Sequence, residues 1–249
     1  MTQGREPDPA IEFGSVWLSQ DDAKAAKPPP LSREQIVSAA IELADTEGLD
    51  AVSIRKIAAR LGVGATSLYW HVHSKNDLFE LMYDAVYGEL KFPEPSGDWR
   101  ADMRAACVAI HDLGRHHPWL ILIGVQPAMG PNVMRYRQFL ADVLGPLGLN
   151  QQTRVEVAAV LNNYLMGSAH RQTAWSQIRE RAGLTGAQWQ QRLGTFLAQA
   201  QQDQPELAAD IETRLHLTSD RSFELGLDCV LDGVAARLVD PITRRRSAS

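Results

Sequence analysis

The chain has 249 residues, 45% of them hydrophobic, with 18 Gly and 13 Pro. That is material for one medium domain or two small ones, and it excludes a wholly disordered, collagen-like or short disulfide-stapled chain. The formal net charge of -5 argues, taken globally, against a polyanion as partner, although the placement of the charges overrules the total. The longest apolar run, residues 119–125, is far short of the roughly 20 residues of a membrane helix. No basic region followed by an apolar stretch opens the chain, so a cytoplasmic protein with no membrane partner is expected. Cys107 and Cys229 lack disulfide or metal spacing and are expected to be buried small hydrophobes.

Residues 1–30, with GREPDP and AKAAKPPP, cannot nucleate a core and are expected to form a disordered arm, with Val16, Trp17 and Leu18 as an isolated apolar triplet. From Leu31 the punctuation becomes regular. Ser32 and Gln35 form a capping box, and Ile36, Ala40, Leu43 and Ala44 make one apolar face before Gly48 ends the first helix. Ser53 caps a second helix with Ile54, Ile57, Ala58 and Leu61 inward, closed by Gly62. Only Val63 and Gly64 separate it from a third helical run over residues 65–71, and so tight a Gly-containing turn marks a helix-turn-helix. A further helix starts at Ser74 and stops before Pro93, placing a DNA-binding domain at residues 31–92.

Residues 98–240 read as helices interrupted by Pro and Gly clusters, with no β-branched alternation between hairpin turns. The fold class is therefore all-α: an N-terminal helix-turn-helix three-helix domain plus a larger C-terminal helical bundle. Among its helices are one over residues 155–174 and another over residues 222–239. In the latter Gly226 and Gly233 each cost about 1 kcal/mol against Ala, which close approach of another helix would offset. Residues 241–249 are expected to be a frayed basic tail.

Residues 51–76 contain Arg55, Lys56, Arg60, Lys75, His71 and His73 and not one Asp or Glu. The flanks are the reverse, carrying Glu34, Glu42, Asp45, Glu47 and Asp50 on one side and Asp77, Glu80, Asp84 and Glu89 on the other. This segregation concentrates positive potential on the helix-turn-helix, an electrostatic footprint for phosphates. Gly64, Ala65, Thr66 and Ser67 are small enough to admit the helix to a major groove, where Tyr69 and His71 extend longer polar tips. Lys75 suits a phosphate, since its charge adds to that of a helix N-terminus, and Arg55 suits a base edge or the backbone.

The segment from Leu31 to Val86 resembles the DNA-binding domain of TetR-family repressors, through Ser53, Arg55, Ile57, Ala58, Leu61, Gly62, Val63, Leu68, Tyr69, His71, Val72, Ser74 and Lys75 in order. The YWHV string and FELGLDCVLDGVAARL near the C-terminus resemble the tetracycline-repressor branch. The resemblance implies an all-α homodimer on a palindromic double-stranded operator, with a C-terminal small-molecule pocket and a four-helix subunit seam, expected from the helices over residues 155–174 and 222–239. It carries DNA contacts to Arg55, Thr66, Tyr69, His71 and Lys75. Gly64 and Ala65 depart from the longer polar residues that tetracycline repressors use to read bases, so operator sequence does not carry over.

For the effector, the C-terminal half offers Ile110, Trp119, Tyr136, Met166 and Trp175 as apolar or aromatic lining, with Asn162, Asn163 and His170 as orienting polar groups or as partners across the seam. Rough alignment puts Ile123 or Gly124, and Leu90 or Lys91, where tetracycline repressors place pocket histidines. A metal-free hydrophobic or aromatic molecule is therefore expected, with no cofactor. Enzyme readings are weak. The stretch from Gly62 to Ser67 lacks the preceding strand and the lysine of a phosphate loop, and His111, His116 and His117 read as surface histidines near a helix end. A helical scaffold would leave the acid-free window unexplained.

Overall fold

The computed structural model describes residues 31–123, 129–206, 208–209, 211 and 220–239. All regular structure among them is helical: α1 (Arg33–Glu47), α2 (Ile54–Leu61), α3 (Ala65–Leu68), α4 (Lys75–Tyr87), α5 (Trp99–His116), α6 (Pro131–Leu144), α7 (Gln151–Arg181), α8 (Gly186–Asp203) and α9 (Asp220–Val234). A π turn, Ala235–Val239, continues α9, and a 3-10 turn, Pro118–Ile123, follows α5. The chain divides into two compact units. One runs up to Glu94 and takes in Asp112–Ala141; the other comprises Pro95–His111 and the chain from Asp142 onward. Among the described residues no helix is long and apolar enough to cross a membrane.

Local chemistry sets the ends of the first four helices. The Ser32 hydroxyl accepts from the Gln35 backbone N–H while Gln35 Oε1 accepts from the Ser32 N–H, so the capping box is complete. Ser53 and Ser74 accept in the same way from the N–H of Lys56 and of Asp77. Gly62 ends α2 at φ 67°, a left-handed conformation that a Cβ would strain. The third helix is shorter than the seven residues expected. After Leu68 the chain turns, with the N–H of His71 and of Val72 both on the Leu68 carbonyl. Tyr69, Trp70, His71 and Val72 are weak helix formers, and the turn buries both Leu68 and Val72 completely.

The core of the first unit is Ile36, Ile57, Leu68, Val72, Leu78, Met82 and Val86, each at most 1% exposed; burying one such side chain is worth about 1.5–3 kcal/mol. An aromatic group beside it joins Tyr87, Phe92, Tyr136 and Phe139, with Phe92 stacked on Phe139 at 4.7 Å. In the second unit α7 packs on α9, and Val157, Leu161, Leu165, Phe223, Leu227 and Leu231 are buried. Arg100 and Arg104 of α5 pair there with Asp232, Asp228 and Glu224 of α9.

Four further sequence expectations change. The surface reading of the histidines holds for His116 only: His111 is buried and stacked on Phe223 at 3.7 Å, and His117 is buried against two carboxylates. Cys107 is buried, its thiol pushed up to about 12 by desolvation, whereas Cys229 is exposed on this chain because it lies on the α9 face away from Leu227 and Leu231. Helix α7 begins and ends beyond the expected residues 155–174, since its polar ends form helix without adding to the apolar stripe. Gly226 does admit a neighbour, but one of the same chain: a Cβ there would overlap the Tyr164 hydroxyl, which donates to the Phe223 carbonyl at 2.7 Å. Nothing within 4 Å would meet a Cβ at Gly233. The arm and the tail, residues 1–30 and 241–249, lie outside the described residues.

Candidate nucleic-acid interface

Helix α2, the Gly62–Gly64 turn, α3, the turn that follows it and the first residue of α4 carry every DNA-contact candidate. Arg55, Gly64, Thr66, Ser67, Tyr69 and Lys75 are exposed, and Ala65 and His71 are half-buried. Gly64 has open space around a would-be Cβ, so its backbone is accessible from outside. Tyr69 is 53% exposed although Leu68 beside it is fully buried, which anchors α3 by one side and presents the other. His71 differs from its neighbours. Its Nε2 is buried without a hydrogen-bond partner, the sole such side-chain atom among the described residues. The Glu34 carboxyl is held below its usual range, chiefly by a backbone hydrogen bond, with the Ser32 hydroxyl, Arg33 and His71 adding to that.

The acid-free stretch is not uniformly free charge. Lys56 Nζ lies 2.8 Å from Glu47 and Arg60 lies 3.0 Å from Glu42, so two of its four cations are drawn back onto α1. Exposed pairs of this kind are worth about 0–1 kcal/mol in stability, and their effect here is mainly on the pattern of potential. Lys75 sits over the Phe79 ring with its ammonium 5.1 Å from the centroid, a contact that restrains the stem and leaves the charge in solvent. Among the described residues Arg55 and Lys75 thus remain as the two cations of the stretch outside these ion pairs, one on each side of α3.

Trp70 is not among the contact residues that the sequence suggests. It is 81% exposed, next to Tyr69 on the same turn, and the interleaving of aromatics with the basic stretch was the available signal.

The effector candidates fall in both units. Trp119 and Tyr136 belong to the first. Trp119 is buried with its indole N–H donating to Asp45 at 2.5 Å, and Tyr136 is part of the aromatic group with Tyr87 and Phe92. Ile110 and Met166 are half-buried in the second unit, where Asn162, Asn163 and His170 are exposed along α7 and are within reach of water on the single chain. The side chain of Trp175 lies outside the described residues, as does Gly124. Among the described residues no group of three or more His, Cys, Asp or Glu is arranged to hold a metal ion.

A short helix reached through a glycine turn, with small residues, a tyrosine and two cations at its open side, defines a helix-turn-helix DNA-binding regulator. Family comparisons agree. Residues 36–82 match the model for bacterial regulatory proteins of the tetR family, and residues 92–238 match the tetracyclin repressor-like C-terminal domain. The chain is 35% identical over 199 residues to an HTH-type transcriptional regulator of Saccharopolyspora erythraea, covering 79% of this chain and 81% of that one. It is 33% identical over 224 residues to the HTH-type transcriptional repressor DrrR1 of Streptomyces coeruleorubidus, covering 88% and 83%. Among solved structures, ActR of Streptomyces coelicolor in complex with actinorhodin superposes with a TM-score of 0.63 at 28% identity, over 84% of this chain and 98% of that one. The chain belongs to the TetR family of transcriptional regulators, and its relatives are regulators rather than enzymes.

Proposed function

We propose that this chain is a cytoplasmic homodimeric repressor. It binds a palindromic operator through Arg55, Gly64, Ala65, Thr66, Ser67, Tyr69, His71 and Lys75, and is released by a hydrophobic or aromatic small molecule. Residues 31–92 are assigned to DNA binding and residues 98–240 to effector binding and dimerisation. The observation that carries the reading is the selective exposure on the helix-turn-helix: Arg55 and Lys75 face solvent while Lys56 and Arg60 are paired with α1 carboxylates. Arg55 reaches a base edge or phosphate, Lys75 neutralises a phosphate at the N-terminus of α4, and Thr66 and Tyr69 meet base edges.

One such helix covers only a few base pairs, so useful affinity needs two half-sites and hence two subunits. Val155 and Val160 on α7 and Leu225 on α9 are exposed apolar residues on the two helices expected at the seam. The effector class is supported by the apolar character of Ile110 and Met166, and a small-molecule effector by the actinorhodin that ActR binds. To release DNA, the effector must bind the DNA-incompetent arrangement more tightly. The test is gel retardation with DNA recovered by genome-wide pulldown, followed by challenge with hydrophobic aromatic metabolites and with tetracycline plus magnesium. Release by an aromatic compound in the presence of chelator supports the reading. Release by the magnesium complex alone, abolished by chelator, contradicts the metal-free effector.

A further inference from the structure

His117 follows α5 directly and is buried in the first unit. Its Nδ1 lies 2.8 Å from Asp45 Oδ1 on α1, and its Nε2 lies 3.4 Å from Oε2 of Glu89, two residues beyond α4. Trp119 shares the first of these carboxylates, donating its indole N–H to the same Asp45 oxygen, and its ring stands tilted at 5.6 Å from the imidazole. The turn Pro118–Ile123 packs on both α1 and α4. The charged groups facing the imidazole are therefore Asp45 from α1 and Glu89 from the end of α4. On its own segment Arg115 and His116 are exposed, and His116 Nδ1 engages the Asp112 carbonyl.

Ionised carboxylates only accept. A ring with a single proton can donate to Asp45 or to Glu89 but not to both, and its bare nitrogen then faces a carboxylate oxygen. A ring with two protons donates to both. Helices α1 and α4 pack on each other, and α1 on α2, so this histidine joins the two helices that frame the DNA-reading pair. We propose that His117 makes operator binding proton-linked: the imidazolium ties α1 and the end of α4 to residues 117–119, and loss of its second proton releases the Glu89 arm and weakens operator binding. The inference rests on the operator-binding reading above. Because the bridge needs both ring protons, it is complete on the acid side and is lost as pH rises. Two carboxylates of the acidic flanks thereby act through an imidazole rather than through the cations of α2.

Operator affinity of the full chain, measured from pH 5.5 to 8.5 at constant ionic strength for wild type and Glu89→Gln, tests this. The Gln amide can donate to the bare Nε2, so the variant accommodates the singly protonated ring. His71 and His73 are common to both proteins, so what they contribute at the DNA surface cancels in the comparison. Across the range wild type should lose roughly three- to fivefold more affinity than the variant, about what one partly exposed ion pair is worth. Parallel curves overturn the proposal. The second measurement needs no DNA: the NMR titration of the His117 Cε1–H signal in the free protein should move to lower pH in Glu89→Gln, and an unmoved midpoint overturns the bridge. If wild type binds no DNA site-specifically at any pH, the functional reading fails, and the imidazole titration still decides whether the bridge exists.

Discussion

Asp84 lies buried on α4 and accepts from the backbone N–H groups of Asn132 and Val133, both at 3.0 Å, and from Asn132 Nδ2 at 2.9 Å. It thus caps the first turn of α6 from a different helix, and a Cβ at Gly130 would overlap its carboxylate. Desolvation pushes its carboxyl above the usual range against the pull of those hydrogen bonds. Asp84→Ala should cost about 2 kcal/mol in denaturant unfolding, because two backbone donors lose their acceptor. The linkage sign follows from the raised value. Relative to Asp84→Asn, wild type is most stable below the unfolded carboxyl's titration and loses that advantage as pH rises through the raised folded one. Unfolding curves of both proteins between pH 3 and 7 check this, and an advantage that grew with pH would contradict it. At the DNA surface, Lys75→Ala should weaken binding to all sequences and lower the salt slope by about 1. Substituting Thr66 or Tyr69 should cost roughly 1–3 kcal/mol and alter sequence preference. Competition binding with operator and random DNA at several salt concentrations separates the two effects.

The capped ends of α1, α2 and α4 were legible because their chemistry is local, unlike the end of α3 and both ends of α7. Ser32, Ser53 and Ser74 and the glycines Gly48 and Gly62 each act within four residues of the backbone that they terminate. Ser53→Ala should therefore cost about 1 kcal/mol, and Gly62→Ala about 1–2 kcal/mol from its φ of 67°, both measurable as shifts in thermal unfolding. The exposed side of the helix-turn-helix was equally legible, since burial of Leu68 and Val72 follows from their apolar character and leaves Thr66, Ser67 and Tyr69 outside. Long-range partners were not. No spacing rule pairs Asp45 with His117 across 72 residues, or Asp84 with Val133 across 49, so these acids read only as flanks of a basic window. His111 was hidden for the same reason, its stacking partner Phe223 being on another helix. Gly226 gave the right physical cue, close approach, without saying whether the neighbour belonged to the same chain or to a second one. Gly226→Leu should consequently destabilise the isolated subunit through Tyr164, whatever happens to association, and unfolding at a dilution where dimers dissociate distinguishes the two effects.

At the scale of the whole molecule, regulation requires that a DNA-reading surface and an effector-responsive part belong to one chain. Both family models match here, one over residues 36–82 and the other over residues 92–238. Residues 112–141 fall within the C-terminal match yet cluster with the DNA-binding helices, through contacts such as Asp84 with Asn132 and Asp45 with Trp119. The second subunit enters through arithmetic: each short reading helix contributes a few base contacts, and two half-sites multiply their discrimination. Light scattering at micromolar concentration should accordingly give a mass near twice 27.5 kDa. The most direct test of the central claim is quantitative footprinting on fragments recovered by genome-wide pulldown, with wild type and Tyr69→Ala side by side. Protection of a palindrome whose half-sites lie about one helical turn apart, lost in the variant at concentrations that fully protect with wild type, is the predicted result. Uniform protection without a palindrome, or protection that Tyr69→Ala leaves unchanged, would contradict it.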